Sequence, residues 1–380
     1  MRVLVLGSGL MGSAAAFDLA RNDAVEGVIV ADINLDAAKA VAERVGSKVE
    51  ARKVDATKKS DLKDAFSDAD AVVSCVSYKV NLLHTQMAVE TGTHLCDLGG
   101  NFKVVQKQLE LNSQAKDASV TIVPDTGLAP GMANVLVRDG IDYLDKIDCV
   151  RIRVGGLPQE PRPPLNYSMV FSVEGLINEY VEPCMVLKDG KITYEDPLVG
   201  FEQVEFPEPF GRLEAFNTSG GTSTLPLTYE GVVDSLDYKT IRYPGHGHSM
   251  WVLMKLGLMD STEHDFDGIR VAPRTVLQGL LTENLPKAEH DVTLMRISIE
   301  GWKGTESRRL EYNMIDYFDD RTGLTSMMRT TAFPAATIAV MLADGTVDEN
   351  GVLPPERAIP PEPFIEALRK RGIEIERRIV

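Results

Sequence analysis

The chain has 380 residues, of which 44% are hydrophobic and 25% charged, an ordinary composition for a globular protein with enough length for two domains. Its 56 acidic and 40 basic residues give a formal net charge of -16, which argues against a broad basic surface for nucleic acid or anionic lipid. An acidic protein is instead suited to steering a cationic substrate.

The four cysteines are widely spaced and form no C-x-x-C pair, so we expect reduced thiols and a cytoplasmic protein. The first residues form a strand pattern and not a charged leader, and no apolar run approaches the ~18 residues that span a bilayer. We therefore expect a soluble protein with no targeting segment and no membrane partner.

The first 124 residues alternate short apolar runs with amphipathic stretches, such as 35–45 and 82–90, which is typical of βαβ units. The predicted strands are residues 3–6, 28–30, 49–54, 71–76, 94–96 and 120–123. Six strands in this rhythm predict an α/β Rossmann domain, a doubly wound parallel sheet that binds a dinucleotide.

Beyond this region the pattern changes. Residues 124–131 contain two prolines and two glycines and predict a hinge or domain boundary. Alternating runs at 150–157, 292–301 and 308–318 predict a second α+β domain, residues 125–329, with a mixed or antiparallel sheet. Residues 330–380, with a helix at 332–342 and an amphipathic tail, are expected to join the first domain.

A glycine-rich loop follows the first strand and opens a helix. Gly7, Ser8, Gly9, Leu10, Met11 and Gly12 fit G-x-G-x-x-G. The first glycine permits the tight turn, the second lets the backbone approach a pyrophosphate, and the third lets helix and strand pack closely. The helix N-terminus then favours the phosphates. The alternative is a glycine turn with a packing role only.

Asp32 ends the second strand, where a carboxylate can bind both ribose hydroxyls of NAD and repel the 2′-phosphate of NADP. No arginine follows within "DINLD", so the sequence predicts NAD. A helix-capping aspartate is the alternative. Asp55 and Ala56 end the third strand and are candidates for adenine contact or for a plain turn.

Ligands of open α/β sheets bind outside the carboxyl ends of the strands. The segments after strands four, five and six are therefore expected to face the nicotinamide and its substrate. Their candidate residues are Cys75, Ser77, Tyr78, Lys79, Asp97, Asn101 and Asp125.

Six ordered segments resemble the saccharopine dehydrogenase-like family: "GSGLMGSAAAFDLA", "LCDLGGN", "IVPDTGLAPGM", "VGGLPQEPRPPLNY", "FNTSGGTSTLPLTYEG" and "YKTIRYPGH". Within that family they are most similar to the lysine 6-dehydrogenase branch. The saccharopine-forming reductases of the family typically carry "GLDPG" followed by an Asp-His pair. This chain has Ala129 in "GLAPG" and then Ala133-Asn134, which counts against saccharopine.

The resemblance implies NAD-dependent oxidation of the ε-carbon of L-lysine, with release of ammonia and 2-aminoadipate 6-semialdehyde, which cyclises to Δ1-piperideine-6-carboxylate. It also makes a homodimer through the second domain's sheet plausible. Such chemistry needs a carboxylate near the ε-nitrogen, a cation for the α-carboxylate, and domain closure to control water.

We assign the carboxylate role to Asp97, with Asp125, and the cation role to Arg242. The alternatives are turn capping for Asp97 and a surface or interface ion pair for Arg242. Lys79 is an acid/base candidate if burial lowers its pKa. Further substrate-binding candidates, each with packing or a turn as its alternative, are Tyr78, Asn101, Asn166, Tyr167 and Thr222.

Two other functional interpretations remain open at this point. One is an opine-type or polyamine dehydrogenase acting on saccharopine or carboxynorspermidine. Another is an NAD-binding redox sensor without catalysis. A metal site at His246 and His248 is disfavoured, because no third ligand recurs at usual spacing and a glycine lies between the two.

Overall fold

A computed structural model describes residues 1–170, 172–286 and 290–380. Up to residue 143 the elements are β1 Arg2–Leu6, α1 Leu10–Ala20, β2 Gly27–Asp32, α2 Leu35–Val45, β3 Val49–Lys53, α3 Lys59–Ser67, β4 Ala71–Ser74, α4 Asn81–Thr91, β5 His94–Asp97, α5 Phe102–Leu109, α6 Asn112–Asp117, β6 Thr121–Val123 and α7 Met132–Tyr143. A short 3-10 turn spans Tyr78–Val80.

The middle of the chain contains β7 Lys146–Pro158, α8 Val173–Val181, β8 Cys184–Lys188, β9 Lys191–Glu195, β10 Glu202–Phe206, β11 Gly211–Asn217, α9 Leu225–Tyr229, β12 Val233–Arg242, α10 His246–Lys255, β13 His264–Phe266, β14 Ile269–Val271, α11 Pro273–Asn284, β15 Asp291–Lys303 and β16 Glu306–Tyr317. The last elements are α12 Ser326–Ala343, β17 Gly351–Val352, α13 Pro355–Ala358, α14 Pro361–Lys370 and β18 Glu376–Ile379.

Two compact units are formed. Unit 1 comprises residues 1–143, 223–225 and 328–375, and unit 2 comprises 144–222, 226–327 and 376–380. No helix in the described ranges is both long enough and apolar enough to cross a membrane. All four cysteines are free thiols.

The core of unit 1 is a seven-stranded sheet in the order β17-β6-β5-β4-β1-β2-β3, with every pairing parallel. Strand β1 lies between β4 and β2 and is buried on both faces, which is why Val3, Leu4 and Val5 form an uninterrupted apolar run. The strand order reverses between β1 and β4. That reversal opens a crevice at the carboxyl ends of the strands, where doubly wound sheets bind ligands.

Unit 2 is built on a mixed sheet in the order β10-β11-β12-β7-β15-β16-β18, to which β8 and β9 are attached through β12. On the main path β12 and β7 pair in parallel, and β15 pairs antiparallel with both β7 and β16. Inward-facing Leu157, Leu213, Ile241, Val292 and Leu294 form one of its apolar clusters. The predicted fold, a Rossmann sheet with a second mixed sheet, is confirmed.

The division into units differs from the predicted domain boundary. Residues 124–131 form the loop between β6 and α7, and both neighbours of that loop belong to unit 1. Helix α7 belongs to unit 1, where it packs against α13 and α14 and its side chains Val135 and Leu136 are buried. The loop therefore does not separate the two units.

The C-terminal region is shared. Residues 328–375 lie in unit 1, where β17 adds an edge strand and Arg371 contacts the buried carboxylate of Asp18 at 2.9 Å. Strand β18 instead pairs with β16 in unit 2. The sequence did not predict this last change of unit.

Candidate functional site

The glycine-rich loop of unit 1 has the backbone geometry that a dinucleotide site needs. Gly7 has φ +94°, and its N–H donates to the Ala31 carbonyl at 2.7 Å. A Cβ on Gly12 would lie 1.8 Å from the Gly7 carbonyl oxygen, so only glycine allows α1 to approach β1 this closely. A Cβ on Gly9 would meet nothing within 4 Å, which leaves the surface beside it open to a ligand.

Helix α1 begins without a side-chain cap. Its N-cap is Gly9, which has no side chain to accept from the N–H groups of the first turn. These donors are available to an anion, and the helix dipole favours negative charge there. The residues present fit the pyrophosphate of a dinucleotide.

Asp32 is fixed beside this loop at the end of β2. Its Oδ2 accepts from the Ser8 N–H at 2.8 Å and from the Ser8 hydroxyl at 2.7 Å, and its Oδ1 accepts from the Asn34 N–H at 2.8 Å. Burial alone would raise the pKa of Asp32, but hydrogen bonds from Asn34 and Ser8 hold it below its usual value. The carboxylate is therefore ionised and held where an adenosine ribose is expected.

The other predicted cofactor residues lie on the neighbouring strands. Asp55 accepts from the N–H and hydroxyl of Thr57, a turn-capping contact, and its role with Ala56 at adenine stays a prediction. Cys75 follows β4, and its carbonyl lies next to Gly7, where a Cβ would be 3.0 Å away. Burial and the charge of Asp97 raise the pKa of the Cys75 thiol to about 12, so this thiol stays protonated. Ser77 is exposed and caps the 3-10 turn.

Two aspartates meet at the carboxyl ends of β5 and β6. Asp97 is fully buried and accepts from Gln108 Nε2 at 2.7 Å, from the Gly99 N–H at 2.7 Å and from the Asp125 N–H at 3.3 Å. Asp125, with φ +61°, accepts from the Ser223 hydroxyl through Oδ2. A Cβ on Gly99 would lie only 1.6 Å from Asp125 Oδ1, so the absence of a side chain at residue 99 makes room for this carboxylate.

The environments of the two carboxyl groups differ. Burial, followed by the charge of Asp97, raises the pKa of Asp125 to about 7, against a smaller lowering by Ser223. Burial also raises the pKa of Asp97, but three donors stabilise its ionised form. Because its pKa lies at about 7 beside the Asp97 carboxylate, Asp125 is the member of the pair suited to exchange a proton near neutral pH.

The remaining candidates of unit 1 surround this pair unequally. The Tyr78 ring packs on Gly100, where a Cβ would lie 3.1 Å from Tyr78 Cδ1, so the loops after β4 and β5 are in contact. Lys79 is exposed, so the burial that its acid/base role requires is not found. Asn101 caps α5 by accepting from the Val104 N–H at 3.3 Å.

In unit 2, Arg242 and Tyr167 lie together in a buried cluster. The guanidinium carbon of Arg242 lies 5.0 Å from the centre of the Tyr167 ring, and only 2% of Arg242 is exposed. The Arg242 Nε–H donates to the Tyr180 hydroxyl oxygen at 3.3 Å, and Nη1 donates to the Ile241 carbonyl at 3.0 Å. Nη2 faces Glu179, whose Oε2 is 3.7 Å away. Arg242 is thus buried beside an acid, and the surface ion pair considered from the sequence is not what it forms.

Thr222 and Asn166 have local contacts. The Thr222 hydroxyl donates to the Met185 carbonyl at 2.9 Å, and Asn166 has φ +49° with its N–H donating to the Arg162 carbonyl at 2.9 Å. Across the described residues no group of three His, Cys, Asp or Glu side chains is placed to hold a metal ion. The substrate-binding roles of Thr222 and Asn166 stay predictions.

Sequence reasoning missed several members of these sites. Ser223 and Gln108 contact the aspartate pair, and Glu179, Tyr180 and His246 surround Arg242. The hydroxyl-rich "TSGGTSTLPL" was a signal for Ser223, which directly follows the predicted Thr222. Glu179 gave no signal, because an acidic residue on an amphipathic helix is ordinarily solvent-facing.

The strand order, the glycine loop and the carboxylate that ends β2 define unit 1 as a Rossmann-type dinucleotide-binding domain. Two family profiles match the chain, the saccharopine dehydrogenase NADP binding domain over residues 3–123 and the saccharopine dehydrogenase C-terminal domain over residues 127–373. The chain belongs to the saccharopine dehydrogenase family.

Individual relatives are distant. The NADP(+)-dependent, L-glutamate-forming saccharopine dehydrogenase of Saccharomyces cerevisiae is 23% identical, covering 100% of this chain and 99% of the relative. The mitochondrial alpha-aminoadipic semialdehyde synthase of Bos taurus is 22% identical, and the chain spans about half of it, 47% of its length. The solved apo saccharopine dehydrogenase of Saccharomyces cerevisiae matches with a TM-score of 0.82 and 22% identity, over 100% of this chain and 99% of that one, which shows a shared fold.

Proposed function

We propose that this protein is an NAD-dependent dehydrogenase that oxidises the ε-carbon of L-lysine. Its products would be NADH, ammonia and 2-aminoadipate 6-semialdehyde, which cyclises to Δ1-piperideine-6-carboxylate. The observation that carries the proposal is the buried Asp97–Asp125 pair at the carboxyl ends of the Rossmann strands, where the substrate of such a domain is expected.

The two aspartates supply what oxidation of an amine requires. The ε-amine of lysine is protonated at neutral pH and must lose a proton before its carbon can lose hydride. Asp125 is suited to accept that proton, because its pKa of about 7 is close to physiological pH. Asp97, whose carboxylate accepts three hydrogen bonds, is placed to stabilise the cationic iminium that forms. NAD, when bound, accepts the hydride.

Hydrolysis of the iminium completes the reaction. Water adds to the carbon, the nitrogen leaves as ammonia, and the carbonyl of the semialdehyde forms. Asp125 can remove the proton from the attacking water once it has released the one taken from the amine. The Ser223 hydroxyl keeps Asp125 Oδ2 in a fixed orientation, which leaves Oδ1 for these transfers.

Asp32 supports NAD over NADP. The carboxylate is anchored by Ser8 and Asn34 at the end of β2, where a 2′-phosphate would bring like charges together. The relative from yeast is named as NADP-dependent, and the matching profile is that of an NADP binding domain. The choice of NAD therefore depends on Asp32 in this chain.

The substrate assignment is supported at Asn134. The family's saccharopine-forming reductases resemble this chain but typically carry an Asp-His pair where it has Ala133-Asn134. Here the Asn134 Oδ1 accepts from the Gly131 N–H at 3.1 Å, and Nδ2 donates to Glu356 at 3.0 Å. Asn134 is fully buried and neutral, so it holds the loop and offers no charge to the dicarboxylate moiety that saccharopine carries besides its lysine part.

Saccharopine oxidation is the second candidate, because relatives covering the whole chain carry that name. Following NADH and NADPH absorbance with L-lysine, saccharopine and carboxynorspermidine separately distinguishes the candidates. Reduction of NAD by L-lysine alone supports the proposal, whereas turnover of saccharopine or carboxynorspermidine in place of lysine rejects it. Tight NAD binding without turnover of any substrate would favour the redox sensor. A homodimeric, cytoplasmic enzyme remains part of the proposal.

A further inference from the structure

Unit 2 contains a hydrogen-bond chain that ends at Arg242. His246 Nδ1 lies 3.0 Å from the Leu165 carbonyl, and its Nε2 lies 2.9 Å from the Tyr180 hydroxyl oxygen. The carbonyl can only accept, so Nδ1 carries the hydrogen of the neutral ring and Nε2 accepts from the Tyr180 O–H. The Tyr180 oxygen in turn accepts from Arg242 Nε–H. All three hydrogen bonds therefore run in the same direction, from Arg242 through Tyr180 and His246 to the Leu165 carbonyl.

These hydrogen bonds fix the Arg242 guanidinium in one orientation. Nε and Nη1 are used by Tyr180 and by the Ile241 carbonyl, while Nη2 is directed at Glu179. Burial and the nearby Arg242 charge lower the pKa of His246 to about 3, so the ring stays neutral and the chain keeps its polarity at physiological pH. The face of Arg242 toward Glu179 is the one left to bind a ligand.

Glu179 is the unusual member of the cluster. Its Oε2 is buried, and in the part of the chain that the structure describes no donor lies within hydrogen-bond distance of it. The nearest cation, Arg242 Nη2, is 3.7 Å away, and 31% of the Glu179 side chain is exposed. A buried carboxylate oxygen without a donor is costly, and here solvent-accessible side-chain surface lies beside it.

The paired charges match a zwitterion. An α-amino acid carries an ammonium and a carboxylate on one carbon, so its two charges require an anion and a cation placed side by side. We infer that Glu179 and Arg242 bind the α-ammonium and the α-carboxylate of the substrate, so that unit 2 selects an α-amino acid. The inference rests on the proposed function for the identity of that amino acid.

The test compares ligands that lack one charged group each. L-Lysine carries both α-groups, 6-aminohexanoate lacks the α-amine, and cadaverine lacks the carboxylate. In Glu179→Gln we expect kcat/KM for L-lysine to fall about tenfold or more, with 6-aminohexanoate nearly unaffected, because only lysine loses a charged hydrogen bond. In Arg242→Gln, kcat/KM should fall for lysine and for 6-aminohexanoate, and it should not fall for cadaverine. Equal losses on lysine and 6-aminohexanoate in Glu179→Gln would overturn the inference.

Two controls keep the result interpretable. Glu174→Gln removes an exposed carboxylate in the first turn of the same helix and should leave the ratio of the two substrates unchanged. Binding of L-norleucine and of hexanoate is measured by calorimetry, independently of turnover. Wild type should bind norleucine more tightly, and Glu179→Gln should lose that preference. If norleucine binds in this way but lysine does not reduce NAD, the proposed function fails and the subsite stands. If neither variant changes norleucine binding, the subsite is rejected.

Discussion

The Ser223 hydroxyl donates to the carboxylate of Asp125, although the two residues are 98 positions apart in the chain. Residues 223–225 are a short piece of unit 1 inserted between long segments of unit 2. This contact gives the aspartate pair a fixed partner that neither strand end supplies. Asp125 is consequently held by a hydroxyl on one side and faces the charge of Asp97 on the other.

The pH dependence of the reaction should report Asp125. The base must be ionised, so kcat/KM for lysine should rise with pH through about 7, the pKa of Asp125. Asp97→Asn removes the charge that raises this pKa and should move the midpoint to lower pH. Ser223→Ala removes a hydrogen bond that lowers it and should move the midpoint upward. Midpoints that stay in place in both variants would contradict the assignment of Asp125 as the base.

The free energy of unfolding should also depend on the protonation of Asp125, in a direction that its raised pKa determines. Burial raises the pKa of Asp125 from its ordinary value of 3.8 to about 7 in the folded protein, so its favourable contribution is present below pH 3.8 and is lost as pH rises through about 7. A difference of three pKa units corresponds to roughly 4 kcal/mol at most. Asp125→Asn should therefore have a higher unfolding midpoint than wild type at about pH 8.5 and a similar one at acidic pH. A constant difference across pH would argue against the raised pKa.

Cofactor choice should depend on Asp32. Asp32→Ala removes the ribose acceptor and the repulsion of a 2′-phosphate, so KM for NAD should rise and discrimination against NADP should weaken. Each lost hydrogen bond to a charged group corresponds to roughly tenfold in affinity. Steady-state kinetics with both cofactors measures the change, and Asp36→Ala, an exposed carboxylate in the first turn of α2, is the control. An unchanged preference would remove Asp32 from the ribose site.

The position of the Asp125 carboxylate should depend on Gly99. In Gly99→Ala the new Cβ would lie 1.6 Å from Asp125 Oδ1, so the carboxylate must move, and turnover should fall while NAD binding is kept. Gly92→Ala is the matched control, because Gly92 has φ +70° against +67° for Gly99 but open space at its Cβ. Both glycines have a positive φ, so an alanine at either position is strained by the backbone. Comparable activity in the two would show that the crowding at residue 99 does not matter.

The sequence predicted the elements whose signal is local. Six of the seven strands of the Rossmann sheet, helix α2 and the long strands β7, β15 and β16 follow from apolar periodicity, and the dinucleotide loop follows from glycine spacing. It did not predict the edge strand β17, which has two residues, or the place of α7 in unit 1. Strand β17 depends on its pairing with β6, and the place of α7 depends on its contacts with α13 and α14, so each joins segments far apart in the chain.

The same distinction between local sequence signals and tertiary packing applies to the candidate sites. Residue type and strand position were enough to single out Asp32, Asp97 and Asp125, because the carboxyl ends of parallel strands gather at one edge. Arg242 was singled out as the strand cation that the chemistry implied by the family resemblance needs for an α-carboxylate. The identity of their partners was decided by tertiary structure. Ser223 and Glu179 reach their partners through contacts between segments far apart in the chain, and desolvation at those contacts sets the pKa of Asp125 and leaves Glu179 Oε2 without a donor in the described structure. No local pattern encodes burial of this kind, since it arises only when the chain has folded around both groups.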